Sequence, residues 1–178
     1  MLASTTSDHT PQQTPPQEAA ALTHYIETRY HKRHRQQLPD LAALSAKVER
    51  VHATAQGVPA GLSDLLQQMI GALEVHMKKE ELILFPAIRR GGGAELATPI
   101  AVMRADHDDH GAELDRIMGL TNGLTLPVGA CRSWTALYDG LTEFVTDLRA
   151  HVALENDVLF VQFETLAPSC GCGHTGAH

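Results

Sequence analysis

The segment HMKKEELILF, residues 76–85, is repeated in altered form as HVALENDVLF, residues 151–160. Both copies contain the pattern His-x-x-x-Glu-x-x-x-Leu-Phe, which begins with His76 and Glu80 in the first copy. Because an α-helix turns about 100° per residue, positions four apart lie only about 40° apart on its surface. Each copy therefore predicts a helix that presents one imidazole and one carboxylate on a single face.

The second pair, His151 and Glu155, continues an apolar stripe that includes Phe144 and Leu148. The first pair extends a similar stripe, and spacing of three and four residues is typical of a helix face packed against other helices. A buried carboxylate without a partner is costly, and Glu is almost never fully buried alone. The pattern predicts that metal ions compensate the buried charges.

A single His precedes each copy by nearly the same distance, His31 by 45 residues and His107 by 44. Each of these residues begins a His-x-x-His segment, whose second members are His34 and His110. The chain is interpreted as two helix pairs, each with one His from its first helix and His plus Glu from its second. The predicted metal ligands are His31, His76, Glu80, His107, His151 and Glu155.

Four imidazoles and two bridging carboxylates suit a pair of iron ions about 3.5–4 Å apart, although manganese or zinc would also fit. His34 and His110 are interpreted either as structural residues or as the lining of an entrance to the centre. His52 has either a structural hydrogen bond or a role in a pocket. The other Glu, Asp and Lys runs are expected on solvated faces.

The remaining pattern predicts an all-α, antiparallel up-and-down four-helix bundle, because no alternation of period two is convincing. The Leu38-Pro39 step is expected to kink or break the first helix. Pro59 is expected to be the first residue of the second helix. Glycines at residues 91–93 should end that helix, and Thr-Pro at residues 98–99 should begin the third.

Domain boundaries follow from composition. Residues 1–17 are polar and rich in Pro, Gln and Thr, which predicts a disordered tail. Residues 18–167 are predicted to form the bundle, and residues 168–178 a flexible tail with Cys170 and Cys172. Either this tail is simply disordered, or it acts as a thiol relay for iron. Cys131, at the start of the last helix, is expected to serve in packing.

The net charge is −7 and the basic residues are dispersed, which argues against nucleic acid as a partner. No apolar run approaches the roughly 20 residues of a membrane span, and the first residues lack the features of a secretory signal. Three Cys residues do not suggest a disulfide framework. The sequence therefore predicts a cytoplasmic protein that does not bind membranes, and it leaves the oligomeric state open.

With these residues considered together, the chain resembles the hemerythrin-type HHE cation-binding domain. It is most similar to the iron–sulfur cluster repair di-iron proteins, a bacterial stress family. The resemblance covers residues 18–166. It rests on RYHKRHRQQLP, KVERVH, HMKKEELILFPAI, DHDDHG, LTNG, GACRSWTALYDGL and HVALENDVLF, in that order.

The resemblance implies a hemerythrin-like bundle with two non-haem iron ions, bridged by Glu80 and Glu155 and by an oxo or hydroxo group. It also implies repair of iron–sulfur clusters damaged by nitric oxide or oxidants, with iron–sulfur proteins as clients and the chain as iron donor. Members of that family usually carry an N-terminal double-Cys module, and the N-terminal residues here contain no Cys. The alternatives are an oxygen- or nitric-oxide-binding sensor or scavenger, and a di-iron reductase of nitric oxide or peroxide.

Overall fold

The computed structural model describes residues 14–164, which form four long helical segments and contain no strand. The first segment consists of α1 (Ala19–Ile26), a π-helical turn (Glu27–His31) and α2 (Lys32–Val51). The second consists of α3 (Leu62–Lys79), a π-helical turn (Glu80–Leu84) and α4 (Phe85–Arg89). The third is a 3₁₀ turn (Ala94–Leu96) followed by α5 (Ala97–Leu120). The fourth consists of α6 (Arg132–Leu154), a π-helical turn (Glu155–Leu159) and α7 (Val161–Glu164).

The four segments pack in a ring, since α2 and α5 each contact both α3 and α6. The first and fourth segments run antiparallel. Arg29 of the first segment forms two hydrogen bonds with Asp147 of the fourth, at 3.0 and 2.8 Å. Two turns later in the first segment, the amide of Gln37 donates to the carbonyl of Gly140, which lies two turns earlier in the fourth. The prediction of an all-α four-helix bundle is confirmed.

The expected break at Pro39 is wrong, because α2 continues through this residue as far as Val51. Proline removes one backbone hydrogen bond and clashes with the carbonyl four residues earlier, at a cost of roughly 3 kcal/mol inside a helix. Leu38 and Leu41, on either side, are buried in the core. Their burial offsets this cost, at roughly 1.5–3 kcal/mol for each such side chain.

The start of the second helix was also predicted wrongly, because α3 begins at Leu62 and not at Pro59. A residue from the preceding helix sets this boundary. The carboxylate of Glu49 accepts hydrogen bonds from the amides of Gly61 and Ser63, at 2.9 and 2.7 Å. It therefore satisfies backbone donors that have no partner within α3.

The other two boundaries are closer to expectation. Gly91 has a positive φ of 79° just after α4 ends, so the predicted glycine stop is confirmed. The third helix begins at Ala97, two residues before Pro99, so Thr98 and Pro99 lie in its first turn. A proline is tolerated there, because its missing amide has no partner within the helix.

Two apolar clusters fill the bundle, and a layer of polar residues lies between them. The larger cluster lies towards the end where α2 passes to α3, and it includes Leu41, Leu66, Met69, Leu114, Trp134, Leu137 and Phe144. The smaller cluster lies at the opposite end, and it consists of Leu22, Ile26, Leu84, Phe85, Ile88, Leu96, Ile100, Met103, Leu159 and Phe160. The buried His and Glu side chains form the intervening layer.

Within residues 14–164 no helix is long and apolar enough to cross a membrane. Most of the predicted N-terminal tail, and all of the predicted C-terminal tail with Cys170 and Cys172, lie outside the described residues. The domain boundaries at residues 17 and 167 stay predictions.

Candidate metal centre

The six predicted ligands come from all four helical segments and are buried. His31 ends the π-helical turn of the first segment, and His107 lies in the middle of α5. Glu80 and Glu155 are the first residues of the other two π-helical turns. None of the six exposes more than 3% of its surface: His31, His76, Glu80, His107, His151 and Glu155.

The side chains converge through their Nε2 atoms. Glu80 Oε2 lies 3.3 Å from His31 Nε2 and 3.4 Å from His76 Nε2. In the second helix pair, the carboxylate oxygens of Glu155 lie 3.1 and 3.0 Å from the Nε2 atoms of His151 and His107. Each carboxylate therefore lies between two imidazoles that belong to different helices.

Two positions for a metal ion result, and they share both carboxylates. At each position, four ligand atoms lie within 4.8 Å of one another. Site 1 consists of His31, His151, Glu80 and Glu155. Site 2 consists of His76, His107, Glu80 and Glu155.

The hydrogen bonding and charge state of the centre fit metal ions. Neither oxygen of Glu80 has a hydrogen-bond partner, and nor does His31 Nε2, although all three atoms are buried. Such atoms are expensive to bury unless a bound group satisfies them. Burial lowers the pKa of His31 to about 4 and that of His76 to about 3, so both rings are neutral at pH 7. A neutral imidazole offers the lone pair that a metal ligand needs.

The pKa values of the two carboxylates are shifted in opposite directions. Burial, and then the charge of Glu155, raise the pKa of Glu80 well above its usual value. Burial also opposes the charge on Glu155, but His151 and His107 outweigh it and lower that pKa. Without a cation, the two carboxylates therefore titrate in opposite directions from their usual range, with Glu80 the easier one to protonate.

Outer residues hold three of the four ligand imidazoles through their Nδ1 atoms. Glu81 accepts a hydrogen bond from His31 at 2.8 Å. Asp106 lies 3.3 Å from Nδ1 of His76, and Asn156 Oδ1 lies 3.0 Å from Nδ1 of His107. The expectation of a solvated face is wrong for Asp106, whose side chain is only 24% exposed and contacts His76.

His34 and His110 are both buried, at 1% and 4% exposure, and neither belongs to site 1 or site 2. His34 lies behind His151, with ring centres 5.4 Å apart, and burial lowers the pKa of His34 to about 2. His34 lines a cavity of about 120 Å³, and His110 borders two larger ones of about 400 and 640 Å³. Their predicted role in lining an entrance stays a prediction.

His52 lies at the C-terminal end of α2, far along the bundle from His31. Its Nε2 is 3.1 Å from the Cys131 sulfur, and its ring contacts that of Trp134 with centres 5.0 Å apart. This geometry supports the structural interpretation of His52 over a role in a pocket. Cys131 is half-buried and packs against the larger apolar cluster, as predicted.

A four-helix bundle with four imidazoles and two carboxylates in its core defines a class of cation-binding helical proteins. The family comparison gives the same result. The model of the hemerythrin HHE cation binding domain matches residues 23–163, so the chain belongs to this family. Membership implies that the buried cluster binds metal, with iron as the metal of the hemerythrin domain.

Curated relatives match over most of the chain. The chain is 49% identical, over 141 residues, to the iron-sulfur cluster repair protein YtfE of Pectobacterium atrosepticum, and the match covers 79% of this chain and 64% of that protein. It is 46% identical, over 155 residues, to YtfE of Yersinia pestis strain Pestoides F, with 87% of this chain and 70% of the relative covered. The chain thus spans somewhat less than two-thirds of the Pectobacterium protein.

Proposed function

We propose that the centre binds two non-haem iron ions, one at site 1 and one at site 2. Glu80 and Glu155 would bridge the two ions, and two His residues would complete each site. An oxo or hydroxo group is the expected further bridge. Bound iron would supply positive charge and open coordination positions at the middle of the bundle.

One observation carries this proposal: four Nε2 atoms and two carboxylates meet in a buried space where Glu80 has no hydrogen-bond partner. An ordinary buried polar network satisfies its own members. The donor set of imidazole and carboxylate suits iron, and zinc or manganese would also fit it. The match to the hemerythrin domain favours iron. Stacking of Phe85 on His31 and of Phe160 on His107 covers the centre on the side of the smaller apolar cluster.

We further propose that the chain takes part in the repair of iron–sulfur clusters damaged by nitric oxide or oxidants, as an iron donor to iron–sulfur proteins. The two relatives described above carry the name of iron-sulfur cluster repair protein, and they support this proposal. The charge state of the centre gives a second, physical argument. A donor must survive the loss of its metal. Burial and the charge of Glu155 raise the pKa of Glu80, and protonation of Glu80 would reduce the repulsion between two buried carboxylates.

The test combines metal analysis with a transfer assay. We expect two iron ions per chain after anaerobic loading. When the loaded protein is mixed with an apo-ferredoxin, a sulfide source and a reductant, the cluster should be rebuilt as iron leaves the centre. A Glu80→Ala variant should lose both properties, and a matched Glu143→Ala variant, at a half-exposed position, should keep them.

The results of metal analysis and of the transfer assay distinguish the candidate functions. Fewer than two ions in a folded sample would overturn the paired centre. Two ions that are never transferred to the apo-ferredoxin would overturn the donor function. Reversible binding of nitric oxide or oxygen without iron transfer would instead favour a sensor or scavenger.

A further inference from the structure

The two metal positions are alike in their ligands but differ in what holds those ligands from outside. At site 2, both imidazoles have an acceptor at Nδ1. Asp106 faces His76 at 3.3 Å, and Asn156 faces His107 at 3.0 Å. Outer acceptors of this kind fix the orientation of a ligand ring and make it a better donor to metal.

At site 1, only one of the two imidazoles has such an acceptor. Glu81 accepts from His31, and it also binds Arg35 at 2.7 and 3.0 Å. The Nδ1 atom of His151 is buried and has no hydrogen-bond partner. The ring of Tyr30 covers His151 instead, almost parallel to it, with centres 5.1 Å apart.

The difference arises from one position of the sequence repeat. Tyr30 immediately precedes His31, and Asp106 immediately precedes His107. Each of these residues reaches the ligand imidazole of the opposite helix in its own site, which is His151 for Tyr30 and His76 for Asp106. An aromatic ring therefore stands at site 1 where site 2 has a carboxylate.

This difference acts through the position of the imidazole proton. In the ion-free centre, His151 can donate from Nε2 to Glu155 Oε1 at 3.1 Å, and its bare Nδ1 then leaves no buried N–H unpaired. To bind an ion through Nε2, His151 must carry its proton on Nδ1, where nothing accepts it. Leaving a buried donor unpaired is unfavourable. His107 Nε2 also lies 3.0 Å from Glu155 Oε2, and the Nε2 atoms of His76 and His107 are 3.2 Å apart, so an ion at site 2 also displaces hydrogen bonds at Nε2. At site 2, however, Asp106 and Asn156 can accept the protons that the two rings then carry on Nδ1.

We propose that the two sites are inequivalent: site 2 fills first and holds its ion more tightly, and site 1 holds the exchangeable ion. This inference rests on the proposed function and identifies the ion at site 1 as the one passed to a client. Outer-shell partners change metal affinity by about 10- to 100-fold, which sets the expected separation between the two binding steps.

The first experiment uses the full chain and ferrous iron under anaerobic conditions. Crystals grown with one equivalent of iron per chain should show anomalous diffraction mainly between His76 and His107. At two equivalents, both positions should be occupied. A ferrous chelator should then remove one ion per chain about 10- to 100-fold faster than the other.

Variants test the cause. Asp106→Ala should weaken the tighter binding step and bring the two steps together. Glu81→Ala should weaken only the looser step, and Asp108→Ala, at an exposed position of the same helix, should change neither. The diffraction experiment on the unaltered chain decides the question even if a variant fails to fold.

The failures of the two proposals are distinguishable. Equal occupancy of both positions at one equivalent, or preferential occupancy of site 1, would overturn the inequivalence and leave the paired centre intact. A chain that never binds a second ion, even with excess iron, would overturn the proposed di-iron function itself.

Discussion

Phe85 in the first helix pair and Phe160 in the second stack on His31 and His107 at nearly the same ring distance, 5.8 and 5.9 Å. The inner surfaces of the two pairs also match in the π-helical turns that begin at Glu80 and Glu155, although the π-helical turn that ends at His31 has no counterpart at His107. Their outer surfaces do not match. The residue after the ligand Glu is Glu81 in one pair and Asn156 in the other.

This comparison separates two kinds of constraint. The inner residues of both halves converge on one buried cluster, so a change in one half would require a matching change in the other. Each outer residue contacts only one of the four inner imidazoles, as Asp106 does with His76 and Tyr30 with His151. Outer positions can therefore differ between the halves, and they can tune one site without altering the other.

If the inner surfaces of the two halves pack equivalently, substitutions at Phe85 and Phe160 should have equal effects on stability. Phe85→Ala and Phe160→Ala should each lower the free energy of unfolding by about 3–5 kcal/mol, because each removes a fully buried ring and leaves a cavity. Denaturant unfolding of the ion-free chain measures both. A difference of more than about 2 kcal/mol between the two variants would show that the packing is not equivalent in the two halves.

Metal removal tests the shared carboxylates. At a thousandfold excess over the dissociation constant, bound iron should stabilise the fold by roughly 4 kcal/mol, and the melting temperature should rise accordingly. Glu80→Gln and Glu155→Gln should both abolish this rise. In the ion-free state they should differ, because the pKa of Glu80 is raised and that of Glu155 is lowered, and Glu155 also contacts His151. Loss of the charge should therefore cost more at Glu155. Equal melting temperatures of the two ion-free variants would contradict this assignment of charge.

The second and fourth helical segments also differ in how their N-termini are capped. Glu49→Gln tests the cap at the start of the second segment. The change should cost about 1 kcal/mol at pH 7, since Glu49 binds the amides of Gly61 and Ser63. Burial raises the pKa of Glu49, but those hydrogen bonds outweigh it, and the net shift is downward from 4.5. The carboxylate therefore stabilises the fold above pH 4.5, and this contribution is lost as the pH falls through the lowered pKa. Unfolding curves of both proteins should converge at acidic pH, and a constant gap would contradict the cap.

The fourth segment begins at Cys131, whose side chain makes no capping hydrogen bond. Cys131→Ser should place a hydroxyl at a position that prefers Ser and raise stability by about 0.5 kcal/mol. Thermal melting of the ion-free chain measures this gain. A loss of stability would show that the contact between the sulfur and His52 matters more than the missing cap.

The fold and the six inner residues could be predicted from the sequence because helical periodicity records which residues share a buried face. The three π-helical turns were missed, yet the spacing contains a signal for them. Buried positions of the third segment alternate regularly by four and three, and this segment has no π-helical turn. In the other three segments, steps of four follow one another, as in Leu73, His76, Glu80 and Leu84. A π-helical turn holds one additional residue and so keeps such a run on one face.

The outer partners could not be predicted in the same way. Glu81 lies about 140° around the helix from His76, which correctly excludes it from the inner face of its own helix. It meets His31 only because the first and second segments pack side by side. A contact between helices depends on their rotation and register, and the period of one helix carries no information about these. The continuation of α2 through Pro39 has the same origin in packing between segments.

The ligand layer divides the hydrophobic interior into a large and a small compartment. A continuous apolar core couples the two ends of a bundle, whereas here the coupling runs through charged and polar groups. Loss of the ions should therefore weaken the cooperativity between the ends, and the compartment around Ile26 and Phe160 should open more readily than the other. Amide hydrogens of α4 and α7 would then exchange with solvent sooner than those at the opposite end. A transient opening of this end would give a client access to the centre without complete unfolding.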